Sequence, residues 1–212
     1  MTIHALPSYE LPQTPVANRV NWRPQANRAA LLIHDMQTYF LQKYDMNQAP
    51  IPMLIERIAA LRDVCQKLGI PVFYTAQPTE QPKKDRALLN DFWGPGLTAT
   101  EFHTQQAVVP ELAPAEHDIM LTKWRYSAFQ RSDLREQLRN LGRDQLIITG
   151  VYAHIGCMTT ALEAFMQDVQ PFLAIDGVAD FSLEEHHMAI RHVSQRCGVS
   201  LTCAEIQDSL QS

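Results

Sequence analysis

Six short apolar segments alternate with segments of helical periodicity, and this alternation constrains the fold more than any other feature of the chain. Between the first two, the apolar positions of residues 51–68 repeat at helical spacing and stop at a glycine and a proline. Strands that alternate with helices form parallel sheets covered on both faces. We therefore predict an α/β fold with a six-stranded, doubly wound parallel sheet and helices on both faces. The predicted strands are residues 29–35, 72–77, 119–123, 146–149, 172–176 and 199–203.

Three further helices complete the predicted pattern. Ser132 is a candidate N-cap for a helix ending at Leu141, a second helix follows Gly156, and a third covers residues 183–196. Residues 78–117 form a long connection rich in proline, glycine and glutamine. Connections of that length are usually functional in compact domains.

Composition limits the partners that this chain can take. At 212 residues it fits one domain, and 46% apolar with 19% charged residues is typical of a globular protein. The formal charge is −5 and the basic residues are dispersed, which argues against a nucleic-acid or membrane surface. The sequence therefore predicts a small-molecule ligand, no nucleic acid and no membrane.

The cysteines and the two ends of the sequence bear on location and domain limits. The four cysteines lie in apolar periodic stretches without zinc-type spacing, which favours packed, reduced thiols. The first residues lack the pattern of a signal peptide, so we expect a cytoplasmic protein. Residues 1–27 are predicted to be an extended, proline-rich arm packed on the domain or on a partner subunit. Residues 28–207 form the predicted domain, and 208–212 a C-terminal tail without a carrier domain.

Polar residues follow three of the predicted strands. Asp35 ends the first strand, Lys123 ends the third, and a turn containing Gly156 and Cys157 follows the fourth. Parallel strands deliver their carboxyl ends to one edge of the sheet, where open α/β sheets bind ligands. The helix after the turn also directs its N-terminus at that edge. The sequence therefore predicts an active site built from these three strand ends.

Six sequence blocks in a fixed order carry a resemblance to a known family. The chain resembles the isochorismatase-like hydrolases over most of residues 28–205, which implies their Rossmann-like sheet. The blocks are LIHDMQ at 32–37, YTAQP at 74–78, DFWGPG at 91–96, LTKWRYSAF at 121–129, GVYAHIGCMTT at 150–160 and ADFS at 179–182.

The resemblance separates two branches of the family at the turn. In the amidohydrolase branch the turn carries a cysteine nucleophile, and alignment on Gly150 places Gly156 at that position. The missing nucleophile is typical of the true isochorismatases, which cleave a vinyl ether without a covalent intermediate. The resemblance implies that Asp35 is the general acid and that Lys123 holds a substrate carboxylate or steadies the departing hydroxyl. Gly156 would make room for the substrate, or would simply be a turn glycine.

The resemblance also implies a binding site for a small dianion. Isochorismate carries two carboxylates, so an acidic protein needs local positive potential from groups such as Arg86 and Lys123. Gln77, Arg86 and Tyr152 are implied substrate contacts. Phe40 and Trp93 are implied walls of the pocket that exclude water. No metal and no organic cofactor is implied, and a homo-oligomer is expected.

Three alternatives remain at this point. The first is the same reaction on 2-amino-2-deoxyisochorismate, as in phenazine pathways. The second is a cysteine amidohydrolase that uses Cys157, one residue beyond the expected position. The third is a non-catalytic module that recruits siderophore-pathway carrier or synthetase proteins. His34 and His154 flank key residues, but we predict structural roles for both.

Overall fold

The structure is a computed structural model that describes residues 5–212. Six parallel strands form one sheet in the order β3-β2-β1-β4-β5-β6. This confirms the predicted doubly wound α/β fold. The strands are β1 (Ala29–His34), β2 (Val72–Ala76), β3 (Ile119–Thr122), β4 (Gln145–Val151), β5 (Gln170–Ala179) and β6 (Val199–Leu201).

Eight helices connect or flank the strands in the described residues. They are α1 (Thr38–Leu41), α2 (Ile51–Lys67), α3 (Lys83–Arg86), α4 (Leu89–Trp93), α5 (Leu134–Asn140), α6 (Met158–Met166), α7 (Leu183–Arg196) and α8 (Cys203–Leu210). The predicted long connection contains α3 and α4, followed by three short 3-10 turns. It is therefore more ordered than its proline and glycine content suggested.

Two apolar cores cover the two faces of the sheet. Because side chains alternate across a strand, Leu31 and Ile33 of β1 pack in one core and Leu32 packs in the other. The first core contains the apolar face of α2 and the buried side of α8. The second core contains the buried residues of α5, α6 and α7. Burial on both faces explains the continuous apolar runs of the central strands β1 and β4, whereas the edge strand β3 is partly exposed.

The C-terminal end differs from the prediction. The last strand ends at Leu201, not at residue 203, and α8 runs to Leu210, past the predicted domain end at 207. Thr202 caps α8 by accepting a hydrogen bond from the Glu205 backbone N–H. The Glu205 carboxylate in turn accepts one from the Thr202 N–H at 2.8 Å. This capping box, Thr-x-x-Glu, was the available sequence signal.

The fifth helix also begins later than predicted. Leu134 is its first residue, one residue after the start that an N-cap at Ser132 would give. The Ser132 hydroxyl accepts a 3.3 Å hydrogen bond from the Leu134 N–H, as an N-cap side chain does, and donates to the Ala128 carbonyl at 2.5 Å. Ser132 therefore links the preceding turn to the start of the helix.

The N-terminal segment lies against the domain of its own chain. The Leu6 N–H donates to the Lys43 carbonyl, and the Arg19 N–H donates to the Ser194 carbonyl. The Tyr9 hydroxyl lies 3.0 Å from Nδ1 of His186, a buried residue of α7. Residues 1–4 of the predicted arm lie outside the described residues. Within residues 5–212, no helix is long and apolar enough to cross a membrane.

Candidate active site

A cavity of about 320 Å³ opens at the carboxyl ends of the strands. It lies at the end of β1, which has β2 on one side and β4 on the other. The strand order of the sheet reverses at this point, where open α/β sheets bind ligands. All eight residues that the sequence predicted for the site line this cavity. They are Asp35, Phe40, Gln77, Arg86, Trp93, Lys123, Tyr152 and Gly156.

Asp35 is held in the cavity by one side chain of β2 and one that follows β3. The Thr75 hydroxyl donates to Asp35 Oδ1 at 2.6 Å, and Lys123 Nζ donates to Oδ2 at 2.9 Å. Asp35 has a φ of 50°, a conformation that costs an aspartate less than most residues. Its N–H donates to the carbonyl of Thr75 at 3.2 Å. The backbone and both carboxyl oxygens are therefore fixed before a ligand arrives.

The surroundings determine the resting charge of Asp35. Burial alone would raise the pKa of its carboxyl, because it disfavours the charged form. The charge of His34 in its protonated form, the charge of Lys123 and the hydrogen bonds from Thr75 and Lys123 outweigh burial and lower the pKa. In the empty site Asp35 is therefore a carboxylate paired with the Lys123 ammonium.

His34 is a buried neighbour of this pair that the sequence reasoning left outside the catalytic set. Burial lowers the pKa of its imidazole to about 4, so the ring is neutral near pH 7. Both ring nitrogens face carbonyl oxygens, and the shorter contact, 2.8 Å from Nδ1 to the Val151 carbonyl, favours the ring proton on Nδ1. Nε2 lies 3.3 Å from the Tyr126 carbonyl. His34 thus contacts the end of β4 and the segment that follows β3.

The turn after β4 presents backbone rather than a nucleophile. A π-helical turn, Ala153–Cys157, joins the strand to α6, and Gly156 borders the cavity. Cys157 is fully buried, with its thiol 3.9 Å from the Thr149 carbonyl, and it does not border the cavity. Burial also raises the pKa of the Cys157 thiol well above its ordinary value. The buried Cys157 thiol does not reach the cavity, which argues against the amidohydrolase alternative.

The cavity carries an excess of positive charge within an acidic protein. Lys43, Arg86, Lys123 and Arg125 line it, with Asp35 and Glu101 as the carboxylates. Among residues 5–212, Lys123 is the one of these four cations that forms an ion pair with a carboxylate. The Arg86 guanidinium is buried and donates through Nε to the Gly94 carbonyl at 2.9 Å. Three cations thus remain available to an anionic ligand.

Aromatic side chains form the opposite wall. The Tyr152 hydroxyl donates to the Phe40 carbonyl at 2.8 Å, and the Tyr152 ring packs edge-on against Phe181. Tyr152 therefore presents its ring to the cavity, and its hydroxyl proton is already used. Trp93 donates through Nε1 to the Tyr126 hydroxyl at 2.9 Å, which fixes α4 over the cavity.

His154 lies outside the cavity and supports this wall. Its N–H and its Nδ1 both contact the Asp180 carboxylate, at 2.6 and 2.5 Å. Burial would lower the pKa of His154, but the hydrogen bond and the charge of Asp180 raise it overall. Phe181 follows Asp180 directly, and its ring borders the cavity. His154 therefore positions a wall residue.

Comparison with known proteins agrees with this geometry. The family model for the isochorismatase domain matches residues 29–205. The chain therefore belongs to the isochorismatase family. It is 50% identical to an isochorismatase of Bacillus subtilis over all of this chain and 68% of that protein. It is 55% identical to enterobactin synthase component B of Escherichia coli, over 92% of this chain and 67% of that protein.

Two further matches extend the comparison. A phenazine biosynthesis protein of Pseudomonas aeruginosa is 43% identical over 96% of this chain and 98% of that protein. A cysteine hydrolase from Pseudomonas syringae superposes with a TM-score of 0.83 at 20% identity, over 91% of this chain and 96% of that one. At that identity the last match supports the fold alone.

Proposed function

We propose that this chain is an isochorismatase that hydrolyses the vinyl ether of isochorismate to pyruvate and 2,3-dihydro-2,3-dihydroxybenzoate. One observation carries the proposal: a buried carboxyl, Asp35, lines a cationic cavity whose described lining residues include no cysteine, serine or threonine. Vinyl-ether hydrolysis needs a proton donor and water, whereas amide hydrolysis in this fold would need a nucleophile at the turn. The names of the two relatives that are at least 50% identical support the same reaction.

In the proposed mechanism Asp35 delivers a proton to the terminal methylene carbon of the enolpyruvyl group. The ether carbon becomes an oxocarbenium ion, and water adds to it, returning a proton to the Asp35 carboxylate, to form a hemiketal. The hemiketal then breaks its C–O bond to the ring oxygen, which takes up a proton as the hemiketal hydroxyl gives one up, and the products are pyruvate and the dihydrodiol. Proton transfer by a positioned side chain contributes about 10² to 10⁴ in rate.

Binding of the dianionic substrate favours the protonated form of Asp35. The empty site holds the carboxylate, because the Lys123 ammonium lies 2.9 Å from Oδ2. A substrate carboxylate beside Asp35 adds negative charge and competes for Lys123, and both effects raise the pKa of Asp35. Substrate binding and proton uptake are therefore coupled in this proposal.

The remaining roles follow from the lining of the cavity. Arg86 binds a substrate carboxylate, since its guanidinium is buried there without a carboxylate partner in the described residues. Gln77 contributes a polar contact, and the Tyr152 ring packs on the substrate. Phe40 and Trp93 exclude bulk water from the oxocarbenium ion.

The second candidate substrate is the 2-amino analogue of isochorismate. Similarity to the phenazine biosynthesis protein favours it, as does Glu101, a cavity carboxylate able to pair with an ammonium group. The higher identity to the isochorismatase and to the enterobactin synthase component places isochorismate first.

The test is pyruvate release from each substrate, coupled to lactate dehydrogenase. Wild type, Asp35→Asn and Cys157→Ala are compared. We expect turnover by wild type and Cys157→Ala, and a loss of 10² to 10⁴ in kcat for Asp35→Asn. Loss of turnover in folded Cys157→Ala, or full activity of Asp35→Asn, would contradict the mechanism. The ratio of kcat/KM values identifies the substrate.

We further propose that the enzyme is a cytoplasmic homo-oligomer that works with carrier or synthetase proteins of a siderophore pathway. The name of the 55% identical relative, a synthase component, supports the pathway. Sedimentation equilibrium tests the oligomer, and a single species of 24.1 kDa would contradict it. Co-purification of tagged protein from the native cytoplasm tests the partners.

A further inference from the structure

The glycine in the turn faces a specific neighbour. A Cβ atom added at Gly156 would lie 2.1 Å from Cε1 of His34 and 2.7 Å from its Nε2. Carbon atoms in contact normally stay about 3.5 Å apart or more. A side chain at residue 156 therefore collides with the imidazole of His34 even when the cavity is empty.

The imidazole has little freedom to move aside. Its exposed fraction is 1%, and Nδ1–H donates to the Val151 carbonyl at 2.8 Å. Nε2 lies against the Tyr126 carbonyl, and Nδ1 lies 3.7 Å from Asp35 Oδ2. Displacing the ring would break the bond to Val151 and disturb the carboxyl that is the proposed acid. The collision therefore carries a direct cost for the site.

We propose that His34 is a positioning residue whose imidazole allows only glycine at residue 156. It thereby excludes a nucleophilic side chain there and specifies hydrolysis without a covalent intermediate. The ring occupies the volume through which a side chain at residue 156 would reach toward Asp35. The floor of the cavity is thus made of the carboxyl, the imidazole edge and bare backbone. This inference rests on the proposed function, and it assigns the glycine to a protein contact rather than to contact with the substrate.

A double-mutant cycle between residues 34 and 156 tests the proposal. The amide nitrogen of asparagine can take the place of Nδ1 and keep the bond to Val151, while Cε1 and Nε2 are removed. We expect Gly156→Ala alone to lower kcat/KM by about 100-fold, as a misplacement of about 1 Å does. Added to His34→Asn, the same Gly156→Ala should cost less than about threefold further.

Gly150 provides a matched control in the same segment. A Cβ there would lie 2.1 Å from the backbone oxygen of His34, an atom that His34→Asn leaves in place. Gly150→Ala should therefore damage the enzyme equally in both backgrounds. An equal effect of Gly156→Ala in both backgrounds, with KM raised each time, would mean that the substrate excludes the side chain, and it would overturn the proposal.

Two readouts separate this inference from the proposed function. The melting temperatures of the four proteins should show the same coupling, and they need no substrate. Coupling in melting temperature without pyruvate release would refute the proposed function and support the role of His34. If His34→Asn does not fold, a crystal structure of Gly156→Ala provides the test instead. We expect a displaced imidazole and a broken bond to Val151, and an unmoved ring would overturn the proposal.

Discussion

The Thr75 hydroxyl donates a 2.6 Å hydrogen bond to Oδ1 of Asp35 and accepts one from the Asp35 N–H at 3.1 Å. Thr75 lies on β2 opposite His34 of β1, so the sheet register brings its side chain to the acid. This reciprocal pair holds the carboxyl in one rotamer. It also leaves Oδ2 for Lys123.

Thr75→Val tests the pair with little change in side-chain volume. The hydrogen bond stabilises the carboxylate, so its removal raises the pKa of Asp35. Because the protonated acid is the active form in the proposed mechanism, kcat/KM falls as pH rises through this pKa. That fall should move to higher pH by about one pH unit, as expected for losing a hydrogen bond to a charged group. We expect kcat to drop by about tenfold or more as the rotamer loosens. Thr75→Ser keeps the hydroxyl and should retain the wild-type pH profile; an equal shift in both variants would contradict this role.

Lys123→Met should make stability depend on pH in a new way. Without the ammonium, burial raises the pKa of Asp35 in the folded state above its unfolded value. Stability is then present at low pH and lost as pH rises through the raised pKa. We expect a loss of about 3 kcal/mol relative to wild type at pH 8, and a smaller loss at pH 5. Urea unfolding at both pH values measures this. The double variant Asp35→Asn/Lys123→Met should lose the added pH dependence, and its persistence would exclude Asp35 as the cause.

Hydrolysis in deuterium oxide tests the proposed proton transfer to carbon. The methylene carbon gains one hydron from the enzyme, so the methyl group of the pyruvate should carry one deuterium atom. Immediate reduction to lactate with lactate dehydrogenase prevents later exchange, and mass spectrometry reads the label. Pyruvate incubated alone under the same conditions corrects for background exchange. A methyl group without deuterium would exclude protonation of the vinyl ether by a solvent-exchanged acid.

His186 should contribute to acid sensitivity at a distance from the site. It is fully buried, and burial lowers its pKa to about 4. Its Nε2 lies 2.9 Å from the Ile175 carbonyl, and its Nδ1 lies 3.0 Å from the Tyr9 hydroxyl. The unfolded state binds a proton near pH 6.5, so stability is complete above that pH and is lost as pH falls toward 4. His186→Gln should reduce the slope of unfolding free energy by about 1 kcal/mol per pH unit between pH 5 and 6.

His187→Gln is the matched control, since the neighbouring His187 is exposed. Urea unfolding at pH 5, 6 and 7 compares the two variants with wild type. Equal slopes for the two variants would contradict a neutral, buried His186.

Local patterns in the sequence were sufficient for the architecture. A strand that is buried on both faces has a continuous apolar sequence, whereas a half-exposed strand alternates apolar and polar residues. The sequences of β1 and β4 are of the first kind, so both strands are recognisable from the sequence. The helical period placed α2 and α7 within a residue of their observed ends. The carboxyl ends of parallel strands lie at one edge of the sheet, and this rule alone predicts that Asp35 and Lys123 lie at the same edge.

Tertiary structure decided the contacts between segments that are distant along the chain. Thr75 lies 40 residues from Asp35, and only the register of β1 with β2 pairs them. The collision between His34 and Gly156 depends on the side-chain direction at a strand end and on the path of a turn more than a hundred residues later. The sequence by itself determined which elements form and which edge carries the chemistry, because periodicity and strand polarity are local properties. Packing determined which atoms meet, because distances between separate elements depend on the whole folded core.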